Sequence, residues 1–102
     1  MYRARDQVEN EEWLARMDRA ADSLELGTEA RSVAVDLFLS HVPDAERSKP
    51  AVAAASIYAG SLIVGEERSQ SRVAATMEVS RLAVQTRWKE LLRDAGFQPP
   101  EW

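Results

Sequence analysis

The stretch Ser-Lys-Pro-Ala-Val-Ala-Ala-Ala-Ser-Ile-Tyr-Ala-Gly-Ser-Leu-Ile-Val, from Ser48 to Val64, leaves the chain few ways to fold. Wound as a helix, it carries apolar or small residues on every side and has no solvent face. Such a helix is buried in a core or spans a membrane. A span takes about 20 apolar residues, and this segment is shorter and is interrupted by Ser56, Tyr58, Gly60 and Ser61. The expectation is a central helix around which other helices pack. Ser48 is expected to cap its first turn, with Pro50 placed early, where a missing N–H costs little. The small residues permit close backbone approach, and Val52, Ile57, Leu62 and Ile63 supply apolar volume.

The flanking segments read as helices of ordinary amphipathic type. Asn10 is expected to cap the first, with Glu11 and Glu12 favoured by the dipole. Leu14, Met17, Ala21 and Leu24 recur at helical spacing, Trp13 lies beside the stripe, and Gly27 is expected to terminate the helix. Thr28 is expected to cap a second helix, whose buried face is Ala30, Val33, Ala34, Leu37 and Phe38, widened by Val35, Leu39 and Val42. Pro43 stops it. After a break at residues 65–68, Ser69 caps a short helix through about Met77, with Val73, Ala74 and Met77 inward. Ser80 starts a last helix, with Val79 and Val84 spaced as a hydrophobic staple. Its inward face is Val84, Trp88, Leu91, Leu92 and Ala95; Gly96 closes it and Pro99-Pro100 prevent its resumption. No strand alternation appears. The reading is an all-α bundle of five helices, with a flexible segment at 1–9, one domain at 10–96 and a tail at 97–102, in which Trp102 is a terminal anchor or disordered.

A chain of 102 residues suffices for one core without staples. Cysteine is absent, which removes disulfides, thiolate metal sites and a cysteine nucleophile. The N-terminus is polar and charged, unlike a signal peptide. His41 is the only histidine. No Ser/His/Asp set, Gly-rich phosphate loop or paired metal-ligating histidines accompany it, so neither an enzyme nor a metal or other cofactor is expected. His41 is read as favouring a helix dipole or contacting a carbonyl. Net charge is −4, which argues against indiscriminate nucleic-acid binding. Residues 68–93, however, carry six basic and two acidic side chains, and a local basic cluster of that kind points toward nucleic acid.

That basic segment is also where a short helix, a tight turn and a longer helix form a helix-turn-helix pattern. At 100° per residue, an inward face through Val84, Trp88 and Leu91 leaves Leu82, Thr86, Lys89 and Arg93 outward, with Arg81, Gln85 and Arg87 on the flanks. Leu82, apolar and outward at the start of the helix, can touch a thymine methyl, and Gln85 can bind adenine in two places. Lys89 and Arg93 suit phosphates. The residues alone also fit a plainer reading. Single exposed leucines are ordinary, and basic residues near a helix C-terminus are favoured by the dipole without a ligand.

Three segments together resemble the cyclin-like repeats of the transcription factor IIB family, in its archaeal form. They are the Val-Ala-Ala-Ala-Ser-Ile-Tyr-Ala run within Ser48–Gly60, Gly-Glu-Glu-Arg-Ser-Gln-Ser-Arg-Val-Ala from Gly65, and Val-Ser-Arg-Leu-Ala-Val-Gln-Thr-Arg-Trp-Lys-Glu-Leu-Leu from Val79. The last two are closer to the second repeat, and the resemblance covers roughly Leu14 to Gly96. It implies a five-helix cyclin-like fold whose helix-turn-helix binds promoter DNA next to the TATA box. By the match, Leu82 and Gln85 fall at base-reading positions; the second is usually arginine in the family, so Gln85 departs from its guanine-containing preference. The sequence holds no Cys/His zinc ribbon and no first repeat, on which contact with TATA-binding protein depends in the family. A stand-alone repeat is therefore not expected to replace a complete initiation factor.

The resulting expectation is a stand-alone DNA-binding transcriptional regulator, cytoplasmic and nucleoid-associated if archaeal, without a membrane partner. Its DNA-binding residues are Arg81, Leu82, Gln85, Thr86, Lys89 and Arg93. Promoter DNA is its partner, TATA-binding protein or another transcription protein a second, and a homodimer or partner supplies the specificity that one helix lacks. The alternative is a protein-interaction adaptor that does not touch DNA. The acidic N-terminal part, where Arg3, Arg5, Arg16 and Arg19 face eight acids over residues 1–30, would suit a basic partner.

Overall fold

The computed structural model describes residues 8–101. These form α1 (Glu11–Ser23), α2 (Thr28–Ser40), a 3₁₀ turn (Glu46–Ser48), α3 (Lys49–Ile63), α4 (Gln70–Met77), α5 (Arg81–Gln85) and α6 (Trp88–Asp94). From Glu11 to Asp94 the described residues form the all-α, five-helix domain that the sequence implies, with the fifth helix broken into α5 and α6. At the break Thr86 N–H still donates to Leu82 O at 2.9 Å, but Arg87 N–H donates to Val84 O at 3.2 Å, one residue short of helical register. Val8 and Glu9 are helical. Residues 1–7 of the segment expected to be loose, and Trp102, lie outside the described residues.

α3 is central as expected: every residue from Val52 to Ser61 is buried, and α3 touches each of the other helices and the 3₁₀ turn. The small side chains set the closest crossing. A Cβ on Gly60 would stand 3.0 Å from the Ala34 nitrogen and 3.2 Å from Ala30 O, so α2 lies directly on α3. At the other side, Tyr58 meets Trp88 edge to face, with ring centroids 5.2 Å apart. Aromatic pairs of this geometry contribute roughly 0.5–1.5 kcal/mol beyond the area they bury. The Gln70 amide hydrogen-bonds the Tyr58 phenol, whose pKa is nevertheless pushed up by burial. One tyrosine thus ties α3 to both α4 and α6.

Four of the expected caps take a different form. Asn10 and Ser48 make no side-chain cap bond. Ser48 already has helical dihedrals, because the 3₁₀ turn runs straight into α3. Glu46 anchors that junction by accepting from Trp13 Nε1 at 3.0 Å and pairing with Lys49 at 2.9 Å. Gly27 does not terminate α1. Glu25 takes the left-handed position, with Leu26 N–H donating to Ala21 O at 3.0 Å, and Gly27 precedes α2, displacing Thr28 from the cap. The Gly27 N–H is satisfied by Glu66 Oε1 at 3.1 Å. Arg68 explains how a glutamate tolerates the strained turn: its guanidinium donates to Leu24 O at 2.8 Å and Glu25 O at 3.0 Å, clamping both carbonyls. Ser69 and Ser80 do cap α4 and α5, accepting from Arg72 N–H at 3.0 Å and Ala83 N–H at 3.1 Å. Some inward assignments also change: Leu14, Val33, Val35 and Val42 are only half-buried and Ala95 is exposed.

Candidate nucleic-acid interface

α4, the turn through Glu78 and Ser80, and α5 make the helix-turn-helix. The turn is tight because Glu78 is left-handed (φ 59°) and Val79 N–H returns to Ala74 O at 2.9 Å. Val79 then packs on the core and Val84 is fully buried, which pins α5 from behind. On its open side Arg81, Leu82, Gln85 and Thr86 are all exposed, Leu82 to 65 %. The Thr86 hydroxyl donates back to Ala83 O at 3.3 Å.

Beyond the break the two expected residues part company. Arg93 is exposed on α6, whereas Lys89 is half-buried, with Nζ 5.5 Å from the centre of the Trp88 ring. The 3₁₀ step at Arg87 rotates α6 relative to a continuous helix, so outward positions counted at a constant angle drift after Thr86. Arg87 itself is half-buried beside a groove formed by Val42, Pro43, Val52 and Leu91.

The basic segment does not become one basic face. Arg68 is clamped on backbone carbonyls, and Arg72 leans toward α1, where it donates to Ser23 O at 3.4 Å and lies 4.0 Å from Glu25. Two arginines of the acidic first helix instead stand beside the motif. Arg16 and Arg19 share a groove with Thr76 and Glu78. Summing charge by segment misses them. The signal lies in spacing: Asp18 and Asp22, four apart, both bind Arg31, at 3.0 and 2.7 Å. Arg16 and Arg19, three apart, occupy another side of the same helix.

His41 meets its sequence reading, with Nδ1 2.7 Å from Leu37 O; its Nε2 also lies 3.2 Å from Asp94, joining the ends of α2 and α6. Among the described residues, no helix is long and apolar enough to cross a membrane.

Residues 12–94 match the model of the transcription factor TFIIB repeat. The chain is similar to transcription initiation factor IIB of Pyrococcus abyssi, with 30% identity over 87 residues, which cover 82% of this chain and 29% of that protein. Transcription initiation factor IIB 1 of Thermococcus kodakarensis is 29% identical over the same shares. The factor of Archaeoglobus fulgidus is 36% identical over 52 residues, covering 51% of this chain and 16% of that protein. The chain thus spans less than a third of the length of these archaeal relatives. With its five-helix architecture and a match running from α1 to the end of α6, the chain belongs to the transcription factor TFIIB repeat family.

Proposed function

We propose that the chain is a DNA-binding transcriptional regulator that reads promoter DNA with α5, beside TATA-binding protein or another transcription protein and within the cytoplasm or nucleoid. The observation that carries this reading is Leu82. It is 65 % exposed on a helix whose opposite side is held by fully buried Val84, with Trp88 of α6 buried just beyond the break. A large apolar side chain held away from the core adds little to its packing there, but it matches a thymine methyl in a major groove. Gln85 would bind adenine, and Arg81 and Arg93 would contact phosphates, with Lys89 able to join them only by leaving Trp88. Backbone contact alone from so few cations gives a dissociation constant of about 10⁻⁴ to 10⁻⁶ M at ordinary salt. Sequence-specific binding therefore uses a second copy or a partner protein.

Titration of a labelled promoter library at two salt concentrations tests this. Gln85→Ala should relax preference at one position, a discrimination of roughly 1–3 kcal/mol for a two-point contact. If Leu82→Ala and Gln85→Ala leave both affinity and preference unchanged, α5 is not the reading element. The inward turn of Arg68, Arg72 and Lys89 favours a second reading, a protein-interaction adaptor. In that case a partner captured by the parent is retained after Arg81, Lys89 and Arg93 are all changed to Glu.

A further inference from the structure

Not all the cations beside the helix-turn-helix turn are in the motif. Arg16, Arg19 and Ser23 recur at helical spacing along α1 and form one wall of a groove of about 190 Å³; Thr76 and Glu78 form the other. No acid of α1 forms an ion pair with Arg16 or Arg19. Asp18 and Asp22 are both taken by Arg31, and no described carboxylate is within ion-pair distance of Arg16 or Arg19. Arg16 is also held in place, its guanidinium 4.4 Å over the centre of the Trp13 ring. An otherwise acidic helix therefore presents two positive groups beside the motif.

We propose that Arg16 and Arg19 form a second phosphate-contacting flank, so that the DNA footprint extends from α5 across the turn onto α1. This rests on the DNA-binding reading above. The geometry that supports it is a matter of reach. Glu78, in the groove, is four residues from Leu82, and four residues of chain span at most about 14 Å. The major groove is about 12 Å wide. The Glu78 end of the turn thus lies within roughly a groove width of Leu82, which puts a cation lining the groove beside Glu78 in reach of the phosphates bordering the groove that Leu82 enters. Contacts of this kind position the protein and raise affinity without reading sequence.

Anisotropy titration of the whole chain with two labelled duplexes, one carrying the preferred site and one scrambled, over a range of KCl tests the flank. Arg19→Gln, at an exposed position, and Arg16→Gln should each weaken binding to both duplexes by the same factor. Each should also reduce the slope of log affinity against log salt by about 0.9, the value for one phosphate contact. Arg16→Lys keeps the charge and should keep the slope, and Arg47→Gln, outside the groove, should change nothing. Removal of the negative groove charge by Glu78→Gln should tighten binding to both duplexes. If Leu82→Ala still alters the preference between duplexes while Arg16→Gln and Arg19→Gln leave affinity and slope unchanged, the flank is wrong and the α5 reading stands. Absence of salt-dependent binding by the parent overturns both.

Discussion

The crossing of α2 over α3 at Gly60 makes a quantitative demand on stability. A Cβ at this position meets the Ala34 nitrogen at 3.0 Å, Ala30 O at 3.2 Å and Ala34 Cα at 3.2 Å, all backbone atoms. A clash with a flexible side-chain tip could be relieved by a rotamer change, but these atoms move only if the helices separate. Valine adds two methyl groups beyond the Cβ. Its better helix propensity returns only a few tenths of a kcal/mol relative to glycine. Overpacking of a closed core costs typically 1–3 kcal/mol and sometimes more. Gly60→Val should therefore lose about 2 kcal/mol, which for a domain of this size lowers the melting temperature by roughly 8–16 °C. Gly60→Ala, with a propensity gain of about 1 kcal/mol, should fall between the two. Urea unfolding followed by far-UV circular dichroism measures the difference. If Gly60→Val unfolds at the parent's midpoint with an unchanged slope, α2 and α3 are not in contact there.

Other consequences are smaller. Glu78 is left-handed in the motif's turn, a conformation costing about 1–2 kcal/mol for a residue with a Cβ; Glu78→Gly should raise the urea midpoint, and a lowered midpoint would refute the strain. The Ser56 hydroxyl is fully buried without a hydrogen-bond partner among the described residues. Ser56→Ala should be neutral or stabilising by up to about 1 kcal/mol, and a loss larger than that in the same assay would mean the hydroxyl is satisfied. Lys49, followed by Trp13, holds the Glu46 carboxyl below its ordinary range. A depressed carboxylate stabilises the fold above its unfolded-state value and loses that contribution as pH falls through the lowered folded-state value. The parent's advantage over Glu46→Gln should therefore be present near pH 7 and vanish in acid. A pH-independent difference would contradict the pairing.

Much of the fold is legible because apolar periodicity reports burial directly. The unbroken small-and-apolar run of α3 could only be interior, and the serines before α4 and α5 could cap with their own side chains. What escaped is long-range. Gly27 looks like a helix terminator until Glu66 and Arg68, some 40 residues away, are seen satisfying the turn and letting Glu25 take the left-handed position. Ser48 fails to cap because a 3₁₀ turn precedes it, a feature without a strong composition signal. On the candidate interface, Leu82 and its neighbours are exposed as their spacing implies. Lys89 drifts because the helix breaks before it, and Arg16 and Arg19 join the motif only through tertiary packing of α1 on α4. Family membership agrees with the absence of any catalytic grouping in the sequence, since the family is one of transcription factors.

The contact proposed between Leu82 and a thymine methyl can be tested directly by replacing thymine with uracil, one position at a time, in a bound duplex. Loss of one buried methyl is worth about 0.8 kcal/mol, close to a fourfold change in affinity. If Leu82 packs on a thymine methyl, uracil at one position weakens the parent by that factor and leaves Leu82→Ala unaffected. A parent indifferent to uracil at every position, or a loss that persists in Leu82→Ala, would contradict it.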